Sequence, residues 1–216
     1  MEITYLGHSS FRMKGKTATV ITDPFDPKMV GIKYGKQSAD IVTVSHQHED
    51  HNKTELVNDV EKVINGPGEY EIKGVSVIGV QSYHDDKKGE ERGGNVIYVY
   101  EIDELRVCHL GDLGHKLTEG KLEDLGDIDI LFVPTGGVYT LDSTQALEAV
   151  RAIEPRITIP MHYKTKDINP EVFGELETEE AFLTEAGMVV ERLPKLTVKK
   201  DDIGEDKKVV VLEIKQ

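Results

Sequence analysis

A chain of 216 residues, 38% hydrophobic and 31% charged, has the composition of one globular domain, long enough to close a core without disulfides. Its formal net charge of −14 works against unaided binding to nucleic-acid phosphates, which depends on Lys and Arg releasing counterions. The only cysteine, Cys108, has no internal partner, apolar stretches are strand-sized, and Met1-Glu2-Ile3-Thr4-Tyr5 lacks the basic flank and apolar run of a signal peptide. The expectation is a single domain, 1–216, with no membrane span, in a reducing cytoplasm.

Apolar, β-branched runs predict strands over Glu2 to Leu6, Thr17 to Thr22, Asp40 to Val44, Val75 to Val80, Asn95 to Ile102 and Leu105 to Leu110. Further strands are expected over Asp127 to Val133, Arg156 to Pro160 and Val209 to Ile214. Helices are predicted after Asp142-Ser143-Thr144, with Ala146, Leu147, Val150 and Ile153 on one side, and from Thr178 to Gly187. Weaker helical patterns follow Asn52 and Thr118. Early strands joined by short turns, then strands alternating with helices, predict an α+β fold of two sheets with helices outside.

Four possible ligands fall within six residues, His46, His48, Asp50 and His51, directly after the run Ile41-Val42-Thr43-Val44. Neutral imidazole and carboxylate are good ligands for zinc and its neighbours. Side chains two apart on an extended segment point the same way, so His46 and His48 can grip one ion while Asp50 and His51, at the turn into the next helix, face a second. His84, Asp112 and His162 each follow the end of another apolar run, and converging strand ends are how sheet-based folds build a site. The alternatives are a solvated polar loop for the six-residue segment and a surface position for His84.

The pattern His46-x-His48-x-Asp50-His51, followed by His84, Gly111-Asp112 and His162, resembles the metallo-β-lactamase superfamily. Leu6-Gly7-His8-Ser9-Ser10-Phe11 and Thr22-Asp23-Pro24 are similar to its small prokaryotic hydrolase branch, which includes relatives of the ascorbate-6-phosphate lactonases. The resemblance implies an αββα four-layer sandwich with the site at one edge. It also implies two divalent ions, zinc being the expected metal with manganese or iron as alternatives. One would be held by His46, His48 and His84 and the other by Asp50, His51 and His162, with Asp112 bridging. His48, where electron-transferring di-iron relatives carry glutamate, favours hydrolysis over redox chemistry.

The expected chemistry is attack by a hydroxide shared between two ions on an ester, lactone, amide or phosphoester of a small molecule, with Asp50 both ligand and catalytic residue. Asp23 reads either as a hydrogen-bond support for a ligand histidine or as a turn residue before Pro24. His8 and His115 are the candidates for a general acid, His8 at the site rim and His115 in the loop beyond Asp112; an exposed loop histidine is the alternative for His115. His109, inside an apolar run, is expected to be packed and hydrogen-bonded. The glycines of Thr135-Gly136-Gly137-Val138-Tyr139-Thr140 would either let backbone amides approach a substrate or serve as turn residues. The competing functions are a metal-dependent ribonuclease or phosphodiesterase, and a metal-containing metabolite-binding protein without turnover. Oligomeric state has no signature.

Overall fold

From Phe11 onward, burial alternates along the second strand of the first hairpin. In Ser10–Lys14, Phe11 and Met13 are fully buried while Arg12 is half-buried and Lys14 exposed, and this strand pairs antiparallel with Glu2–Gly7 through Ile3 opposite Met13 and Tyr5 opposite Phe11. The computed structural model describes residues 1–215. The hairpin belongs to a six-stranded sheet in the order Leu196–Thr197, Glu2–Gly7, Ser10–Lys14, Thr19–Thr22, Ile41–Thr43, Lys62–Ile64. An eight-stranded sheet runs Val189–Leu193, Lys208–Leu212, Ile157–Met161, Ile130–Pro134, Leu105–His109, Gly94–Ile102, Val75–Tyr83, Gly68–Ile72.

The inner faces of the two sheets share one core. Phe11 of the small sheet stacks on Phe132 of the large one at 4.1 Å between ring centroids, with Met13, Tyr98, Tyr100 and Ile159 buried around them. The outer face of the large sheet is covered by the helices Ser143–Ile153 and Glu179–Ala186, whose Ala146, Val150 and Phe182 pack with Val99, Leu131 and Val133. Asp142 caps the first of these through a reciprocal capping box with Gln145, and Gly187 ends the second in the left-handed conformation. The order helix, sheet, sheet, outer cover is the α+β sandwich expected from the sequence.

On the other side the outer layer is thin. Leu6, Ile21, Val42 and Val44 are covered by Ala39, Tyr34, Val57 and Val60, which flank the short parallel pair of Gln37–Ser38 with Val57–Asn58. The helix expected after Asn52 is only a 3-10 turn, Thr54–Leu56: Lys53 gives no side-chain cap, and Val57 leaves in an extended conformation to join its strand partner. Ser10–Lys14, Lys62–Ile64, Gly68–Ile72, Val189–Leu193 and several two-residue strands went beyond the apolar-run reading. Gly68–Ile72 and Val189–Leu193 lie on sheet edges, where half-exposed, polar-rich sequences such as Gly-Glu-Tyr-Glu-Ile replace continuous apolar runs. Among the described residues no helix is long and apolar enough to cross a membrane.

Candidate metal centre

Six strands deliver polar side chains to one edge of the sandwich. His8 follows Glu2–Gly7, Asp23 follows Thr19–Thr22, His46 to His51 follow Ile41–Thr43, His84 follows Val75–Tyr83, Asp112 follows Leu105–His109, and His162 follows Ile157–Met161. The backbone bends sharply there, with positive φ at His8 (55°), Asp23 (37°) and His162 (52°). Such conformations cost free energy in a non-glycine residue and persist where surrounding contacts impose them. Here the His162 N–H donates to the His8 carbonyl at 2.9 Å, and Tyr5 Oη donates to the same oxygen at 2.8 Å.

Asp112 lies at the centre and is 1% exposed. Its Oδ2 is 3.1 Å from His84 Nε2, 3.2 Å from both His51 Nε2 and His162 Nε2, and 3.8 Å from His46 Nε2. The loop carrying it is fixed by Asn95, whose Oδ1 accepts from the Asp112 N–H while its amide donates to the Leu110 carbonyl. Gly111 permits this: its φ is +58°, and a Cβ there would sit 2.3 Å from Asn95 Oδ1.

All seven expected ligand positions come together. Ligand atoms of His46, His48 and His84 lie within 4.8 Å of one another, as do those of Asp50, His51 and His162 together with His8, and His46, His51 and Asp112 form a third group joining the first two. All are buried except His48, which is exposed at the mouth.

The hydrogen-bond donors and acceptors behind the cluster decide which imidazole nitrogen faces it. Ser45 Oγ donates its only proton to Asp23 Oδ2 at 2.6 Å, so at 2.9 Å it accepts from His46 Nδ1–H. Asp23 Oδ2 also accepts from His51 Nδ1–H at 2.9 Å, and Asp23 Oδ1 from the Ser45 N–H at 2.7 Å. Both histidines therefore turn Nε2 into the cluster, where neither has a hydrogen-bond partner, and Asp112 Oδ1 has none either. Buried polar atoms left without partners cost roughly 1–3 kcal/mol each, so a converging set of them fits a cation as their common partner. The donor set, imidazole nitrogens with two carboxylates, fits a divalent transition metal.

The two buried carboxylates keep their charge at the centre of the cluster. Burial works against ionising Asp112 and Asp50, but the surrounding histidines outweigh it and hold both carboxyls well below the usual range. Burial also opposes a charge on His51, yet Asp112 and Asp50 reverse this and raise its pKa well above the ordinary value. His46, with burial dominant, is held well below the ordinary histidine range and stays neutral.

The other expectations divide. Asp23 is a support for ligand histidines rather than a simple turn residue. His109 is packed as expected, donating from Nε2 to the Ser9 carbonyl at 2.8 Å and accepting the Gly111 N–H on Nδ1. His8 is not at the rim: it is 1% exposed, and Nε2 donates to Asp50 Oδ2 at 3.1 Å, while burial and then His162 lower its pKa to about 4. His115 is excluded as a general acid, because Nδ1 donates to the Lys116 carbonyl and Nε2 accepts the Tyr83 N–H, facing a separate groove beside Leu117 and Gln145. Gly136 serves backbone packing, since a Cβ would sit 2.1 Å from the His162 carbonyl oxygen. Only Tyr139 of that loop reaches the cleft over the ligands, a space of about 430 Å³ also lined by Met29, Arg92, Val172 and Phe173. These last four gave no sequence signal, because none sits in a ligand-like motif.

Residues 2–162 match the model of the beta-lactamase superfamily domain. The chain belongs to the metallo-β-lactamase superfamily. Relatives cover most of its length. It is 28% identical to a UPF0173 metal-dependent hydrolase of Pyrococcus horikoshii (84% of this chain, 94% of the relative) and 30% identical to one of Thermoplasma acidophilum (82% and 90%). The crystal structure of a proposed Zn-dependent hydrolase of the superfamily from Thermotoga maritima superposes with a TM-score of 0.80 at 37% identity, covering 98% of this chain and 97% of that one. These relatives carry the name of metal-dependent or Zn-dependent hydrolases.

Proposed function

We propose that the centre holds two divalent metal ions, zinc in the first place, and that the protein hydrolyses an ester, lactone, amide or phosphoester of a small molecule. The observation that carries this reading is the pair of ligand groups joined at Asp112, with imidazole lone pairs fixed inward by Ser45 and Asp23. His46, His48 and His84 would hold one ion and Asp50, His51 and His162 the other, with Asp112 between them. Bound there, the ions supply Lewis acidity toward the scissile carbonyl or phosphoryl oxygen and hydroxide at neutral pH.

The remaining residues prepare the site. Asp50 combines a ligand position with an orienting one, since His8 holds one carboxylate oxygen and the group lies at the cleft floor. Met29, Val172 and Phe173 give the cleft an apolar wall that limits water beside the reacting bond. A nucleic-acid substrate draws no support from the cleft: Arg92 is the single Lys or Arg among its described lining residues, and the chain carries a net charge of −14.

The test is a hydrolase panel of lactones, thioesters, amides and phosphodiesters run on protein purified without added metal, with Asp50→Ala alongside. Turnover by the wild type, abolished in Asp50→Ala together with reduced metal content, is expected. Full activity of that variant with its metal retained would sink the assignment of Asp50.

A further inference from the structure

The cleft above the ligands is mostly apolar, yet Arg92 stands at its wall with its guanidinium carbon over the Tyr139 ring, 5.1 Å from the centroid. Nη2 donates to the Val138 carbonyl at 3.3 Å, and among the described residues Arg92 pairs with no carboxylate. Some other surface cations are engaged, Lys73 by Asp40 and Glu61, Lys200 by Asp129 and Lys208 by Glu191, whereas others, among the described residues, lie free of carboxylates in open solvent; Arg92 differs in facing the cleft. Even at the cleft, Glu49 is taken by Lys53 at 3.3 Å.

The position of Arg92 is built. Asp85, directly after His84 and 6% exposed, accepts the backbone N–H groups of Lys87 (2.9 Å), Gly89 (2.7 Å), Glu91 (3.1 Å) and Arg92 (2.8 Å). One carboxylate thus ties the Arg92 backbone to the residue that follows a candidate ligand. Tyr139 is held from the other side, its Oη donating to the Val172 carbonyl at 2.9 Å. A guanidinium lying over an aromatic ring is weakly hydrated, and with Nη2 turned to Val138 the remaining N–H groups of Arg92 are left to reach a carboxylate or phosphate.

We propose that Arg92, lying over Tyr139, is an anion-recognising subsite, and that the substrate is amphiphilic, with a carboxylate or phosphate held by Arg92 and an apolar part against Met29, Val172 and Phe173. This deepens the reading of the cleft as a hydrolytic site and rests on it. The competing role for Arg92 is a latch that merely fastens its loop to Val138 and Tyr139.

Calorimetric titration of the metal-loaded protein with hexanoate, hexyl phosphate and neutral hexanamide separates the two. Arg92→Gln is expected to lower affinity for an anionic probe, relative to hexanamide, about tenfold, with Arg92→Lys recovering part of the loss. Such a loss for either anion supports the subsite, and the anion more affected names the group. An unchanged ratio in Arg92→Gln, or equal weakening of all three probes as a latch would give, overturns it. In parallel, turnover of a carboxylate-bearing ester is compared with that of its neutral isostere. If neither ester nor any member of the hydrolase panel turns over while the binding ratio still collapses, the hydrolytic reading fails and the anion subsite stands.

Discussion

Asp23 is buried behind the ligands, and its carboxylate accepts from Ser45 twice and from His51 once. Asp23→Asn keeps the volume but puts an amide where an acceptor is needed, so His51 loses the partner that keeps Nε2 inward. Losing an outer partner of a ligand histidine typically costs 10–100-fold in metal affinity, and a loss of about that size is expected in competition with a chelator. Unchanged affinity would mean that His51 is oriented by something else. Gly111→Ala forces a Cβ into Asn95 Oδ1 at a positive φ, and strain of this kind costs about 1–3 kcal/mol, to be read as a lower denaturation midpoint. The ligand positions were legible in the sequence because metal-binding side chains are chemically distinctive and the six-residue cluster is dense. His8 was not, because a lone histidine after Gly7 carries no sign that the chain will turn it inward onto Asp50. For His115 sequence proximity to Asp112 misled: Gly114 packs against the His84 carbonyl, and the ring beyond it turns to a different groove.

The helices and strands were read from different signals, and these failed differently. Ser143–Ile153 was legible because cap and apolar stripe agree; Asp142→Ala, which removes the capping box, should cost about 1 kcal/mol in denaturant unfolding, and no loss would show that packing alone defines that helix end. The strands that deliver ligands are mostly short, largely buried apolar runs, so they announced themselves. The edge strands Gly68–Ile72 and Val189–Leu193 did not, since one face and one edge meet solvent and propensity gives way to pairing with a neighbour. Between the sheets, Phe11 stacks on Phe132 and on Tyr5, and Phe11→Ala should destabilise by about 3–5 kcal/mol while leaving the cluster's residues in place. A much smaller cost would mean that the sandwich is held mainly by its outer layers.

Taken together, the molecule is an acidic sandwich that gathers its chemically active groups at a single edge. Its two sheets supply strand ends from both sides of the core, which is why ligands separated by over a hundred residues meet around Asp112. The short chain segments beyond the strands make the rest: Met29 and Phe173 as wall, Arg92 and Tyr139 as the polar end. Folding must bring several imidazoles and two carboxylates into one buried volume, so a bound cation should stabilise the native state by the linkage between binding and folding. The most direct measurement is therefore the metal content of purified protein before and after chelation, followed by its thermal midpoint and hydrolase activity on metal return. The account predicts about two divalent ions per chain, a lower midpoint on their removal, and recovery of both midpoint and turnover when they are restored. A chain that binds one ion or none when metal is supplied, or that keeps its midpoint and activity without metal, contradicts it.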